Sequence, residues 1–233
     1  ITFARHLRDA GYATAIGGKW QINHLGKQPG ILKQQGCDEH CVWPGVETGQ
    51  PEPTERFGGG LVSTNGKRAK VTYGPDTINR FLINFSKRHK DRPFLVYYPM
   101  LLTHGPHTIT PLNKTNPPEG KPALYAGNVT YMDQLVGRLV SAVDDLGLTK
   151  RTVIIFTGDN GSASSGMLNG KPYPKGKGRE ADWGVHVPFI VRAPFLTKGG
   201  IVSRDLIDFT DLYPTFLEFA GILAPKNLKL DGR

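Results

Sequence analysis

The chain has 233 residues, 38% of them apolar, with 29 Gly and 18 Pro, and its 29 Lys and Arg outnumber 20 Asp and Glu for a net charge of +9. That length suits one substantial domain, and the composition excludes wholesale disorder. No stretch approaches the roughly 18 apolar residues of a membrane span, and no basic helix or aromatic-interleaved basic stripe supports nucleic-acid binding, so a small anionic substrate is the better reading of the charge.

In chain order, Phe3 and Leu7 at i, i+4 predict a helix over residues 1–10, stopped by Gly11. Residues 12–17 read as a short strand running into Gly18-Lys19-Trp20-Gln21. Residues 22–75, rich in Gly, Pro and polar groups, read as loop with little regular structure. Asp76 is placed to cap a helix with Ile78, Phe81, Leu82 and Phe85 on one face. The apolar run 94–102 suits a strand buried on both faces.

A long helix follows over 124–146, with Val129, Met132, Val136, Leu139, Val140 and Val143 at helical spacing. Residues 151–157 (RTVIIFT) form the clearest strand, 188–192 another, and 212–220 a helix ended by Gly221. Strands alternating with helices argue an α/β fold with helices on both faces of the sheet.

Cys37 and Cys41 are the only cysteines. No second ligand pair follows at zinc-site spacing, which leaves a local disulfide or two free thiols as the main readings. The chain opens on Ile1 in mid-pattern and stops on the polar turn Leu230-Asp231-Gly232-Arg233. The expectation is a partial domain over 1–233, truncated at both ends.

Ligands of α/β sheets gather at the carboxyl ends of strands, and the polar clusters fall there. They are GGKWQ (17–21), THGPH (103–107) and TGDNG (157–161), joined by a Gly-rich loop over 175–188. Asp159 and Asn160 are hard oxygen donors suited to Ca2+ or Mg2+, though Ca2+ takes 6–8 oxygens. Lys19, His104 and Lys177 could together hold a doubly charged oxyanion, the lysines as point charges and the histidine as donor to a leaving oxygen. His107 is a rival for the His104 role.

Taken in order, these segments resemble the sulfatase family of the alkaline phosphatase-like superfamily. LRDAGYATAIGGKW (7–20) is similar to the family's G-Y-x-T…G-K-W signature, and YPMLLTHGP (98–106) to its H-x-P segment. TGDNG matches its metal-binding strand end, KGREADWGVHVPFIVRAP (177–194) its lysine loop, and DLYPTFLEFAG (211–221) its D-L-x-P-T-x-L helix. The resemblance implies an alkaline phosphatase-like α/β sandwich with a mostly parallel central sheet. It implies metal-dependent hydrolysis of a sulfate ester by a formylglycine nucleophile, with Ca2+ as cofactor in preference to Mg2+.

Carried over by residue, Asp159 and Asn160 are metal ligands, and Lys19, His104 and Lys177 hold the sulfate and assist the leaving oxygen. Gln21 stands where many members have histidine; it can donate to a sulfate oxygen but cannot carry a proton. The formylglycine precursor C/S-x-P-S/T-R does not occur, nor do the family's paired aspartates, and both belong upstream of Ile1. The chain alone is therefore expected to be inactive. Asp182-Trp183-Gly184 replaces the usual E-G-G.

The rivals are a phosphatase, phosphodiesterase or phosphonate hydrolase of the same superfamily and, from another class, a non-catalytic anion-binding paralogue. The resemblance further implies a secreted, periplasmic or lysosomal protein, with which the N-x-T triplets at Asn113 and Asn128 are compatible.

Overall fold

The computed structural model of the chain describes residues 2–45, 57–224 and 229–232. Its strands are β1 (Ala13–Lys19), β2 (Glu39–Trp43), β3 (Leu61–Thr64), β4 (Lys67–Lys70), β5 (Phe94–Tyr97), β6 (Ile154–Thr157), β7 (Gly166–Leu168), β8 (Lys171–Tyr173) and β9 (Phe189–Arg192). The helices are α1 (Phe3–Asp9), α2 (Ile31–Gln34), α3 (Gly74–Arg88), α4 (Lys121–Asp145), α5 (Asp182–Val185) and α6 (Leu212–Phe219).

The main sheet has the order β4-β3-β2-β1-β5. β1 lies parallel to β2 and to β5, and β3 and β4 extend that parallel centre as an antiparallel hairpin. β6 pairs with β9 and β7 with β8, each in a two-stranded antiparallel ribbon.

Successive side chains of a strand point to opposite faces, and β1 and β2 obey this. Ala13, Ala15, Cys41 and Trp43 join one core with Ile78, Leu82 and Phe85 of α3 and Tyr131 and Leu135 of α4. Ile16 and Val42 face the other side, where Ala4 of α1 and Leu32 of α2 complete a second core. Helices therefore cover both faces, as an α/β sheet with parallel neighbours requires. Cys37 and Cys41 are free, buried thiols in these two different cores, so the disulfide reading falls.

Several sequence expectations are corrected. Residues 22–75 hold α2 and three strands, because β2, β3 and β4 gain their order from pairing rather than from apolar alternation. Residues 46–56 of that span lie outside the described residues. Asp76 does not cap α3, which starts at Gly74 with Tyr73 as N-cap. Its carboxylate instead accepts from the Tyr131 hydroxyl at 2.7 Å and from Arg138 at 2.8 Å, pinning α3 to α4.

The run 94–102 is a strand only to Tyr97, and β5 is half-buried or exposed throughout. In α4 the buried positions are Asn128, Tyr131, Leu135 and Val143, one step round the helix from most of the expected stripe. Asn128 is wholly buried and donates to the Thr108 carbonyl at 2.6 Å, so a glycan there is incompatible with the packing.

Candidate active site

Four chain segments meet at the carboxyl ends of β1, β5 and β6. Lys19 is the last residue of β1, and its backbone N–H donates to the Pro99 carbonyl at 2.8 Å. That crossing demands Gly18, whose φ is +135° and whose added Cβ would lie 1.9 Å from the same oxygen. The chemistry-bearing lysine is thus fixed against the segment that leads to His104.

His104 is half-buried, and its Nδ1 lies 2.7 Å from the Gly105 carbonyl. Asp159 and Asn160 follow β6 directly. The Asn160 side-chain amide donates to the Gly161 carbonyl at 3.0 Å, which orients the amide and leaves its oxygen as the atom for a cation.

Lys177 reaches the same place by a backbone clasp. Gly161 N–H donates to Gly184 O at 2.8 Å, Gly176 N–H to Ser162 O at 2.9 Å, and Lys177 N–H to Ser162 O at 3.0 Å. The strands of chain approach so closely that a Cβ on Gly161 or Gly176 would sit 2.0 or 1.8 Å from the Trp183 carbonyl. This is the physical content of the Gly-rich loop, whose spacing alone does not reveal what the glycines touch.

Lys19, His104, Asp159, Asn160 and Lys177 all line one cleft of about 2680 Å³. Gln21 is not among its lining residues; it is exposed, with its side chain against Gly45. His107 also stays off the lining. Its Nε2 lies 2.9 Å from the Ser164 hydroxyl, its ring rests on Tyr125, and Ser164 and Tyr125 do line the cleft. Burial holds the His107 imidazole below its ordinary pKa, and its Nδ1 is buried without a partner among the described residues. Neither Ser164 nor Tyr125 belongs to a motif that would mark it in the sequence.

Burial first, and then the Asp159 carboxylate, raise the pKa of the Tyr97 phenol at the end of β5. Two lysines and a histidine line the same cleft as one carboxylate and one amide, the kinds of group that an anion beside a cation would need. Asp159 and Asn160 are donors of the hard-oxygen kind a divalent cation takes, and two are fewer than Ca2+ requires. Among the described residues no group of three or more His, Cys, Asp or Glu could hold a metal by itself.

The chain is 28% identical to N-acetylgalactosamine-6-sulfatase of Canis lupus familiaris, covering 97% of this chain and 46% of that protein. It is 32% identical to steryl-sulfatase of Mus musculus over 64% of this chain and 25% of that protein. The chain thus spans a quarter to just under a half of these curated relatives. The crystal structure of Ps i-CgsB in complex with k-i-k-neocarrahexaose superposes with a TM-score of 0.78 at 27% identity, over 99% of this chain and 55% of that one. The sulfatase family model matches residues 2–222, from the first helix through the last, and the chain belongs to the sulfatase family.

Proposed function

We propose that this chain forms the greater part of the anion-binding half of a sulfuric ester hydrolase. The observation that carries the reading is the convergence of Lys19, His104 and Lys177 on one cleft with Asp159 and Asn160. The family is metal-dependent. The hard donors Asp159 and Asn160 would contribute to holding the ion, with Ca2+ suiting them best. When bound, that ion neutralises charge on the sulfate oxygens.

The chain's own residues do the rest. Lys19 and Lys177 place cationic charge on the transferring group, and the backbone clasp fixes Lys177 before substrate arrives, so little reorganisation is needed. His104 orients the sulfate and stands ready to hand a proton to the departing alcohol oxygen. The nucleophile is a formylglycine supplied by polypeptide outside residues 1–233. Its hydrate adds to sulfur as the ester S–O bond breaks, and the alcohol leaves with a proton.

Among the described residues no helix is long and apolar enough to cross a membrane. The proposed setting is the exported or lysosomal one that the family resemblance implies. A sulfated sugar is the favoured substrate class, because the two similar proteins named above that match nearly the whole chain are an N-acetylgalactosamine-6-sulfatase and the protein in complex with k-i-k-neocarrahexaose, whereas steryl-sulfatase matches 64% of it.

The test is release of inorganic sulfate from an aryl sulfate by the complete protein, with and without a chelator. Metal-dependent release supports the reading. Cleavage of phosphate esters alone would replace it with the phosphatase alternative.

A further inference from the structure

The three tryptophans of the chain do not share one fate. Trp20 and Trp43 are 7% and 4% exposed and belong to the two cores, whereas Trp183 is 36% exposed. Trp183 lines the cleft with Lys19, His104, Asp159 and Lys177. Its place there is set by main chain. The Trp183 carbonyl is the atom against which Gly161 and Gly176 abut, and those glycines are the chain neighbours of Asn160 and Lys177. The next residue, Gly184, accepts from Gly161 N–H at 2.8 Å and donates to the Ala181 carbonyl at 2.7 Å. Trp183 therefore stems from the clasp itself, between a proposed cation donor and a proposed sulfate-holding lysine.

The same short helix, α5, carries a polar pair. Nδ1 of His186 lies 3.2 Å from the Asp182 carboxylate, and both side chains are 76% exposed. Asp182 and His186 also line the cleft. Binding sites for small molecules join apolar and aromatic surface to a few polar groups that fix orientation. An indole offers a broad apolar face, and the carboxylate and imidazole beside it offer hydrogen bonds. A sugar ring answers both, with C–H bonds on its faces and hydroxyls round its rim. A purely apolar alcohol could use the indole, but it would have nothing to give the polar pair.

We propose that Trp183 is a specificity-determining residue: its indole is the platform for the sugar ring that carries the sulfate ester, and Asp182 and His186 hydrogen-bond that ring's hydroxyls. The inference rests on the sulfatase reading above and deepens it by placing the alcohol side of the ester on α5. Lys19 and Lys177 then hold the sulfate end while α5 selects what is attached to it. Trp183 stands where the resemblance puts a glycine of E-G-G. The platform is therefore a feature of this chain, added to the sulfate-holding groups that the resemblance implies.

The experiment uses the complete protein with N-acetylgalactosamine 6-sulfate, k-i-k-neocarrahexaose and p-nitrophenyl sulfate. Tryptophan emission is followed on mixing with each, in the wild type and in Trp183→Phe, and steady-state kinetics are measured for Trp183→Ala, Asp182→Ala and His186→Ala. At least one of the two sugars is expected to change the emission of the wild type and not that of Trp183→Phe. For that sugar, Trp183→Ala should lower kcat/KM about tenfold more than it does for p-nitrophenyl sulfate, the effect of one aromatic contact. Asp182→Ala and His186→Ala should shift the same ratio in the same direction. Identical emission traces in wild type and Trp183→Phe with both sugars would overturn the proposal, as would equal losses on sugar and aryl substrates. If Trp183→Ala does not fold, Trp183→Phe, which keeps an aromatic ring and the clasping carbonyl, carries the emission test. No sulfate release from any compound, with the Trp183-dependent emission change retained, would overturn the sulfatase reading while supporting the sugar platform.

Discussion

The backbone N–H of Lys177 donates to the carbonyl oxygen of Ser162 at 3.0 Å, which fastens the lysine to the turn that carries Asp159 and Asn160. A cationic group and a pair of oxygen-bearing side chains that lie far apart along the chain are thereby tied together. The lysine's position is set by main chain, so its side chain spends little of its freedom on placement.

Replacing Gly176 with Ala places a methyl group 1.8 Å from the Trp183 carbonyl, which neither backbone can absorb without moving. Thermal unfolding of Gly176→Ala is expected to show a loss of about 2–4 kcal/mol. Sulfate release by the complete protein should fall although Lys177 is unchanged. A variant as stable as wild type would show that the clasp is not needed.

Lys19→Ala, His104→Ala and Lys177→Ala should each lower kcat of the complete protein by about 10²–10³-fold, the usual effect of removing one preorganised charge or donor. Gln21→Ala should change it much less, since Gln21 stands outside the cleft lining. Steady-state kinetics on one aryl sulfate checks all four.

Asp76→Ala leaves the hydroxyl of the buried Tyr131 without its acceptor. The expected loss of stability is about 1–3 kcal/mol, from a charge-assisted hydrogen bond inside the α3–α4 contact. Arg138→Ala should cost well under 1 kcal/mol, because that guanidinium is 48% exposed and solvent screens its pairing. Urea denaturation of the two variants separates the contributions.

Burial lowers the pKa values of His40 and His107, so the folded chain binds their protons less readily than the unfolded one. Stability contributed by keeping them neutral is present above the ordinary histidine pKa of about 6.5. It is lost as pH falls from there towards the lowered folded values, and is level below them. Unfolding free energy measured between pH 5 and 8 should fall on the acid side, and His107→Gln should flatten that fall.

Cys37 and Cys41 should resist a thiol reagent at pH 8 in the folded chain and both react in denaturant. Both are buried, and burial pushes the Cys37 thiol up to about 11 and raises that of Cys41. Rapid labelling of the folded chain would contradict the two-core placement.

The elements that were legible in the sequence carry their own pattern. Helix α3 shows Ile78, Leu82 and Phe85 at helical spacing, and β6 is an unbroken apolar run. β4 was not legible, because Lys67-Arg68-Ala69-Lys70 is exposed throughout and owes its strand form to pairing with β3. The stripe on α4 was legible as a helical apolar face; much of it lines the cleft, while Met132 and Leu139 also pack against the core and Val143 is buried. Lys19, His104, Asp159 and Lys177 were legible as strand-end and loop residues. The close approaches that unite them were not, because a glycine in a sequence does not say which carbonyl it must make room for.

β4 closes the far flank of the main sheet with Lys67, Arg68 and Lys70 all turned to solvent. Two molecules that drift together along these flanks bring like charges face to face before any backbone bond can form. The flank is guarded against polymerisation by repulsion rather than by cover. That guard has a range of about 10 Å at 0.1 M salt and about 3 Å at 1 M. Ionic strength is therefore the variable that decides whether concentrated solutions of this protein stay clear.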